Sequence, residues 1–270
     1  MTSEIVRPDR RILHFSHIIE TARFGIREFF VFQPPHIVLT TLLPRAVLQC
    51  LFFTMLGGVL GGAAGREYAF VGSLAGILPL AGTVGVSDVP AHDKWSATFY
   101  RIRTASTMQP FLLYLLRCLP FPVQGFVTVL LSLVIVAPVI GLTGTAVDLV
   151  PLLPLYFLMA MSTTAAGMAG AAFAIGRRAD VFMGNLLQYL ILLAGGVFLP
   201  PGRVAWVDAI GIVLPIRHGL AAVRAALAGE PWLRLVATEV AVGLGWLAAT
   251  WLIVALLARR ARRLGHDEYI

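Results

Sequence analysis

The sequence predicts an all-α polytopic membrane protein: an N-terminal interfacial amphipathic helix, six transmembrane helices and a re-entrant outer hairpin between helices five and six. Three observations predict it. Of 270 residues, 58% are hydrophobic and 13% charged, and the mean hydropathy is +0.84, well outside the range of water-soluble domains. The apolar residues fall into runs of about 20, the length at which a helix crosses the hydrocarbon core. The charged residues fall between those runs. Such a chain has room for about six or seven crossings and none for a large soluble domain.

The first element precedes any crossing. Ile12, Phe15, Ile19, Ala22, Ile26 and Phe29 recur every three or four residues, with Arg11, His14, Glu20, Arg23, Arg27 and Glu28 mostly between them. This spacing describes a helix lying in the membrane interface; the lesser alternative is a cytosolic helix packed on its own protein, for which the chain offers almost no soluble partner. Pro34 and Pro35 then break the helix. No clean apolar stretch with a small-residue cleavage site follows Arg7, Arg10 and Arg11, so no removable leader is expected. The predicted organisation is an N-terminal cytoplasmic interfacial segment (1–36), a transmembrane domain (37–258) and a cytoplasmic tail (259–270).

Six spans are predicted at 37–60, 70–86, 111–141, 147–175, 181–199 and 235–258. The third and fourth exceed the required length and hold Pro120, Pro122, Pro138, Pro151 and Pro154, so kinks or interfacial stretches are expected there. Charge sets the orientation. Fourteen Lys and Arg side chains lie in the N-terminal segment, the 88–110 loop, the link at 176–180 and the tail. Five lie on the opposite side, at Arg66 and in the segment 200–234. Cytoplasmic segments carry the excess of Lys and Arg, so both termini are expected on the cytoplasmic side of the membrane. The net charge of +7 is thereby explained by topology rather than by nucleic-acid binding. Arg117, just inside the third span, is expected to snorkel to the inner interface.

Residues 200–234 are apolar enough to imitate a seventh span. A full crossing would carry Asp208, Arg217, His218 and Arg224 through the bilayer, at about 2.5–3.5 kcal/mol for each ionised group at the centre, and would move the Arg-rich tail outside. Two half-helices, 204–214 and 219–227, hinged near Pro215 and dipping into the outer leaflet, fit better.

Catalytic and ion-coupling groups are sparse. The acidic residues fall in termini, loops or span ends, Glu239 among them near the outer end of span six, and no His is central in a span. This disfavours ion-coupled transport and a membrane enzyme, and no catalytic or metal-ligating residues are assigned. Gly57, Gly58, Gly61, Gly62 and Gly65 lack the lysine of a phosphate-binding loop. They suit close helix packing or a flexible exit into the outer loop. Cys50 and Cys118 lie in apolar runs and imply no disulfide.

The stretch Gly195-Gly196-Val197-Phe198-Leu199-Pro200, then Trp206, Leu214-Pro215, His218, Arg224 and Gly229, resembles the signature of the ABC transporter type-2 export permease family. The likeness extends to the N-terminal helix, the six spans and the first cytoplasmic loop. That loop departs from the family pattern, with Ala97 and Tyr100 at its Gly and Glu positions and Ser106 in place of Pro. The resemblance implies a permease without its own ATPase, working with an ABC ATP-binding subunit that holds ATP-Mg, with a second permease subunit, identical or related, and with membrane lipids. It implies ATPase docking through Lys94, Trp95, Phe99, Tyr100, Arg101, Ile102 and Arg103, where Phe99 and Ile102 form an apolar ridge within a basic rim. The same residues would also suit a loop resting on headgroups.

A path between two permeases would be lined by spans one and five, with Gln49, Phe52 and Phe53 on the first and Asn185, Gln188 and Tyr189 on the fifth. Interhelical hydrogen bonding or packing accounts for these residues as well. The largely apolar and aromatic lining favours a hydrophobic or amphiphilic cargo such as a drug, antibiotic or lipid. The alternative is a lipid-linked polysaccharide or teichoic-acid-type precursor.

Overall fold

The computed structural model describes residues 10–95, 109–175 and 180–264, and every regular element within them is helical. Helix α1 spans Arg10–Phe32. Pro34 and Pro35 end it, and the chain re-enters helix through the short turn Pro35–Ile37 and a wider π-helical turn, Val38–Leu42. Helix α2, Leu43–Ala75, follows without a break, and a second π-helical segment, Leu80–Gly85, leads into α3, Val86–Trp95.

Within α2 the chain reverses at Gly62, whose φ of 63° and ψ of −148° are not helical. Only glycine adopts such a pair without steric cost. The reversal is evident from packing. A Cβ on Gly57 would come within 2.6 Å of the Gly65 carbonyl oxygen and would also strike Ala69, positions that a straight helix carries about 12 and 18 Å away. Gly57 and Gly65 thus let the two legs of a helical hairpin touch backbone to backbone. The gap between the first two predicted spans, 61–69, is helical except at Gly62, and Arg66 lies along Gly58.

Helices α4, Pro110–Cys118, and α5, Pro120–Ile140, form one interrupted rod, since Pro120 lacks the N–H that would continue the first helix. Gly141, in the left-handed conformation, stops α5. A short helix α6, Thr143–Leu149, and a 3-10 turn, Val150–Leu152, precede α7, Leu153–Ala174. Helix α8 runs from Asp180 to Ala194 and is shorter than the expected 181–199, because Gly195 and the positive φ of Gly196, 74°, unwind the chain there. Helices α9, Ala205–Gly211, and α10, Arg217–Leu227, form the two arms of the following hairpin, and α11 spans Leu233–Leu264.

Four stretches are long and apolar enough to cross a membrane: Pro35–Asp93, Pro110–Ile140, Thr143–Ala174 and Leu233–Arg260. The chain is an all-α polytopic membrane protein. Helix α7 is the central rod, buried on nearly all sides along Ser162–Ala172. Its Ala, Gly, Ser and Thr side chains permit close approach, as helices embedded in lipid require. At Gly82 and Gly167 the chain preceding α3 and α7 meet with no room for a side chain: a Cβ on Gly82 would lie 3.0 Å from the Thr164 nitrogen, and one on Gly167 2.8 Å from the Thr83 Cα. A second apolar cluster, Phe29, Val86, Val89, Cys118, Phe121, Met168 and Ala171, fastens α1 to the ends of α3, α5 and α7.

Candidate functional site

Two polar clusters sit where the helices converge. The first centres on Arg117 in the last turn of α4, whose side chain is 4% exposed. Its Nε donates to Glu28 Oε2 at 2.8 Å and its Nη2 to Glu28 Oε1. On its other edge Nη1 donates to Asp93 Oδ2 at 2.6 Å and Nη2 to Asp93 Oδ1 at 2.8 Å. Asp93 is buried and Glu28 half-buried, and one guanidinium fork holds α1 and the end of α3 against α4. Gly25 makes this possible, because a Cβ there would stand 2.7 Å from the Arg117 Cα. The expectation that Arg117 snorkels to the interface is therefore corrected: two carboxylates draw it inward, and the cluster carries one net negative charge.

The second cluster organises the hairpin of α9 and α10. Arg224 donates from Nη1 to the Gly196 carbonyl at 2.8 Å and from Nη2 to the Tyr68 and Val197 carbonyls at 3.3 and 3.4 Å. Its guanidinium lies 3.5 Å from the Tyr68 ring centroid, a cation–π contact. The glycine pair that unwinds α8 and the arginine in α10 are thus two halves of one joint, the first offering carbonyls and the second reading them.

Glu239 of α11 is fully buried, and its carboxylate accepts from the Ile216 N–H at 2.9 Å, the Gly219 N–H at 3.0 Å and the Ser162 hydroxyl. The two N–H groups are free donors of the first turn of α10, where a negative charge is favoured by the helix dipole. Ile216 precedes that turn with φ of 78°, a left-handed conformation costing about 1–3 kcal/mol in a branched residue. The hairpin is held further by Asp208, which accepts from Arg217 Nη2 at 2.6 Å and from the Gly202 N–H at 2.8 Å. Trp246 Nε1 donates to the Val213 carbonyl at 2.8 Å, and a ring nitrogen of His218 lies 3.0 Å from the Ile212 carbonyl oxygen.

The residues singled out in the sequence are distributed unevenly over this frame. In the hairpin, Pro215 is buried, His218 and Arg224 are half-buried, and Pro200 and Trp206 are exposed. The first half-helix is shorter than expected, at Ala205–Gly211, and the second begins two residues earlier, at Arg217–Leu227, where Glu239 caps its start. On the first leg of α2, Gln49 is half-buried, Phe52 is exposed and Phe53 stacks on Phe198 at 4.0 Å. On α8, Tyr189 stands on the open face and Asn185 is half-buried. Gln188 is turned into the packed face. Lys94 and Trp95 belong to α3, while Phe99, Tyr100, Arg101, Ile102 and Arg103 lie outside the described residues. Sequence reasoning missed the Arg117–Glu28–Asp93 cluster and the buried role of Glu239. The available signal was a lone ionisable residue within each apolar run, which at such depth requires a partner.

The order of these features along the chain is that of a known family. The model of the ABC-2 type transporter family matches residues 34–228, from the turn before α2 to the end of α10. The chain belongs to the ABC-2 type transporter family. No curated protein and no solved structure matches it. The match takes in the α2 hairpin, the Gly195–Gly196 exit, the Pro215 hinge and Arg224, so the second cluster lies within the part of this ABC-2 permease that defines its membership. An ABC-2 permease is the membrane component of a transporter and not itself an enzyme, and the family usually works with an ATP-binding subunit.

Proposed function

We propose that this ABC-2 permease is half of the membrane channel of an ATP-driven exporter for a hydrophobic or amphiphilic compound, crossing the membrane six times with both termini cytoplasmic. The stretch Pro35–Asp93 is 59 residues long, about 90 Å as a straight rod and some three times the hydrocarbon thickness. The reversal at Gly62 makes it two crossings. Pro110–Ile140, Thr143–Ala174 and Leu233–Arg260 add one each. The fifth is α8 with its unwound exit to Pro200, since fifteen helical residues reach only about 22 Å. The segment 200–234 is then the re-entrant outer hairpin, 1–36 the interfacial segment, 88–110 the cytoplasmic coupling loop and 259–270 the tail.

The observation that carries this reading is the Arg117 cluster. Asp93 lies at the mouth of the 88–110 loop and Glu28 on α1, and one buried arginine in the third crossing grips both. A force applied to the loop by an ATP-binding subunit, docked on Lys94, Trp95 and the stretch Phe99–Arg103, would reach the helical bundle through that joint. Two discrete arrangements of the packed helices, biased by the partner's nucleotide state, would then alternate access. The cargo path is assigned to the facing surfaces of crossings one and five in two permease copies, identical or related, with Phe52, Phe53 and Tyr189 on its wall and Gln49, Asn185 and Gln188 behind or beside it.

The test is reconstitution in vesicles with the ATP-binding subunit. ATP-dependent efflux of an amphiphilic dye is expected, no ATP hydrolysis by the permease alone, and loss of co-purification when Phe99 and Ile102 are both replaced by Asp. Hydrolysis by the isolated permease, or an unchanged pull-down, would overturn the arrangement. Transport of a lipid-linked glycan instead of the dye would select the polysaccharide-precursor reading.

A further inference from the structure

Among the crevices lined by the described residues, one of about 200 Å³ carries both signs of charge. It lies between the elbow joining α1 to α2, the chain leading into α3, and α5. Gln33, Arg45, Asp88, Gln124 and Thr128 supply its polar lining. Leu42, Ile77, Leu80 and Val84 supply its apolar part. Both π-helical turns contribute to its wall, Leu42 from one and Leu80, Ala81, Val84 and Gly85 from the other. Such widened turns are uncommon and occur disproportionately at functional sites.

The polar groups are unequally satisfied. Thr128 donates to the Gln124 carbonyl at 2.9 Å, and Gln124 Nε2 donates to Gln33 Oε1. Gln124 Oε1 is buried without a partner. Arg45 and Asp88 are exposed, and no ion pair involves either among the described residues. The crevice therefore offers one guanidinium for an anion, and a carboxylate and an amide oxygen for an N–H donor, beside an apolar wall.

We propose that this crevice binds the headgroup of a zwitterionic phospholipid with a primary amine, of the phosphatidylethanolamine type. Arg45 takes the phosphate, Asp88 and Gln124 Oε1 accept from the ammonium, and the apolar residues receive the start of the acyl stem. A headgroup with phosphate alone leaves Asp88 unpaired, and a quaternary amine has no N–H for either acceptor. The volume of about 200 Å³ admits a compact headgroup, and the open side leaves room for the acyl stem. The inference deepens the proposed function by naming a lipid chemistry at the cytoplasmic end of crossings one to three, and it rests on that reading for the orientation. Its test is run on the permease alone, without nucleotide or ATP-binding subunit, so a failure here leaves the export reading standing.

The full-length protein, purified in detergent, is titrated with phosphatidylethanolamine, phosphatidylcholine and phosphatidylglycerol, and bound lipid is counted by native mass spectrometry. One phosphatidylethanolamine per chain is expected, binding at least about tenfold tighter than the other two, a preference worth about 1.4 kcal/mol. Arg45→Gln and Asp88→Asn each abolish the preference. Val84→Trp, which fills the crevice and leaves both charges in place, removes the bound lipid, and unchanged melting temperatures verify that the variants fold. Equal binding of the three lipids, or a preference surviving all three substitutions, overturns the proposal. Free phosphoethanolamine binding as tightly as the lipid would assign the site to a soluble phosphate-amine and overturn the lipid assignment.

Discussion

At the scale of single residues, the informative groups are charged ones placed where charge is costly. Arg117 joins residues that lie 89 and 24 positions away along the chain, and Glu239 joins a hydroxyl 77 positions earlier to two backbone donors about 20 positions earlier. Replacing Arg117 with Met leaves a buried and a half-buried carboxylate uncompensated, at about 3–5 kcal/mol. Replacing Glu239 with Ala leaves buried donors without acceptors, at about 1–3 kcal/mol each. Thermal unfolding in detergent is expected to fall sharply for both, and Arg117→Lys is expected to recover only part of the loss, since an ammonium cannot span two carboxylates as a fork does. A melting temperature unchanged in Arg117→Met would remove the cluster from any structural role. The sequence displays each of these residues as an isolated charge beside an apolar run. It does not display the partners, because helical periodicity orients a side chain about its own axis and says nothing of which neighbouring helix it meets.

At the scale of elements, the hairpin is tuned by one surface ion pair. Its hydrogen bond from Arg217, with a second from the Gly202 N–H, holds the Asp208 carboxyl below the usual carboxylate range. A group whose folded value is depressed contributes stability that is fully present above its unfolded value, about 3.9, and is lost as the pH falls through the folded value. The α9 arm is therefore expected to stay closed at neutral pH and to loosen only in acid below about pH 4. Protection of the Gly202 amide from hydrogen exchange, referenced to the intrinsic rate at each pH, reports this, and Asp208→Asn should lose that protection already at pH 7. A flat profile in the wild-type hairpin would mean that Glu239 and Trp246 hold it without the ion pair.

The break between two short helices at Pro215 was legible in the sequence. The start of α10 was not, because the anion that caps it comes from another helix. The end of α8 was missed for a related reason: Gly195 and Gly196 read as small residues in an apolar run, and only the carbonyls turned toward Arg224 show why the helix must unwind there. Of the glycines of 57–65, which suit close packing or a flexible exit, Gly57 and Gly65 sit at a backbone contact, whereas Gly61 and Gly62 face open space.

At the scale of the whole molecule, apolar run length carried the polytopic all-α architecture, and the distribution of arginine carries the proposed orientation. Both are bulk requirements of the bilayer and do not depend on which helices touch. Two of the arginines counted on the outer side, Arg217 and Arg224, are engaged within the fold, so the orientation rests on the remainder. Labelling with a membrane-impermeant thiol reagent checks it, in a chain whose Cys50 and Cys118, both buried and free, are replaced by Ala. Arg203→Cys is expected to react from outside intact cells and His266→Cys only after permeabilisation. Reaction of both from one side would require an odd number of crossings.

The tight reversal at Gly62 has a bearing on what the surroundings of the cell can reach. Between the first two crossings the polypeptide turns within a single residue, and between the third and fourth it turns at Gly141 and Leu142. In the proposed orientation, nearly all of the surface facing the exterior is then contributed by residues 200–234. An antibody, a protease or a blocking compound approaching from that side meets the hairpin first, and a departing cargo must leave past it.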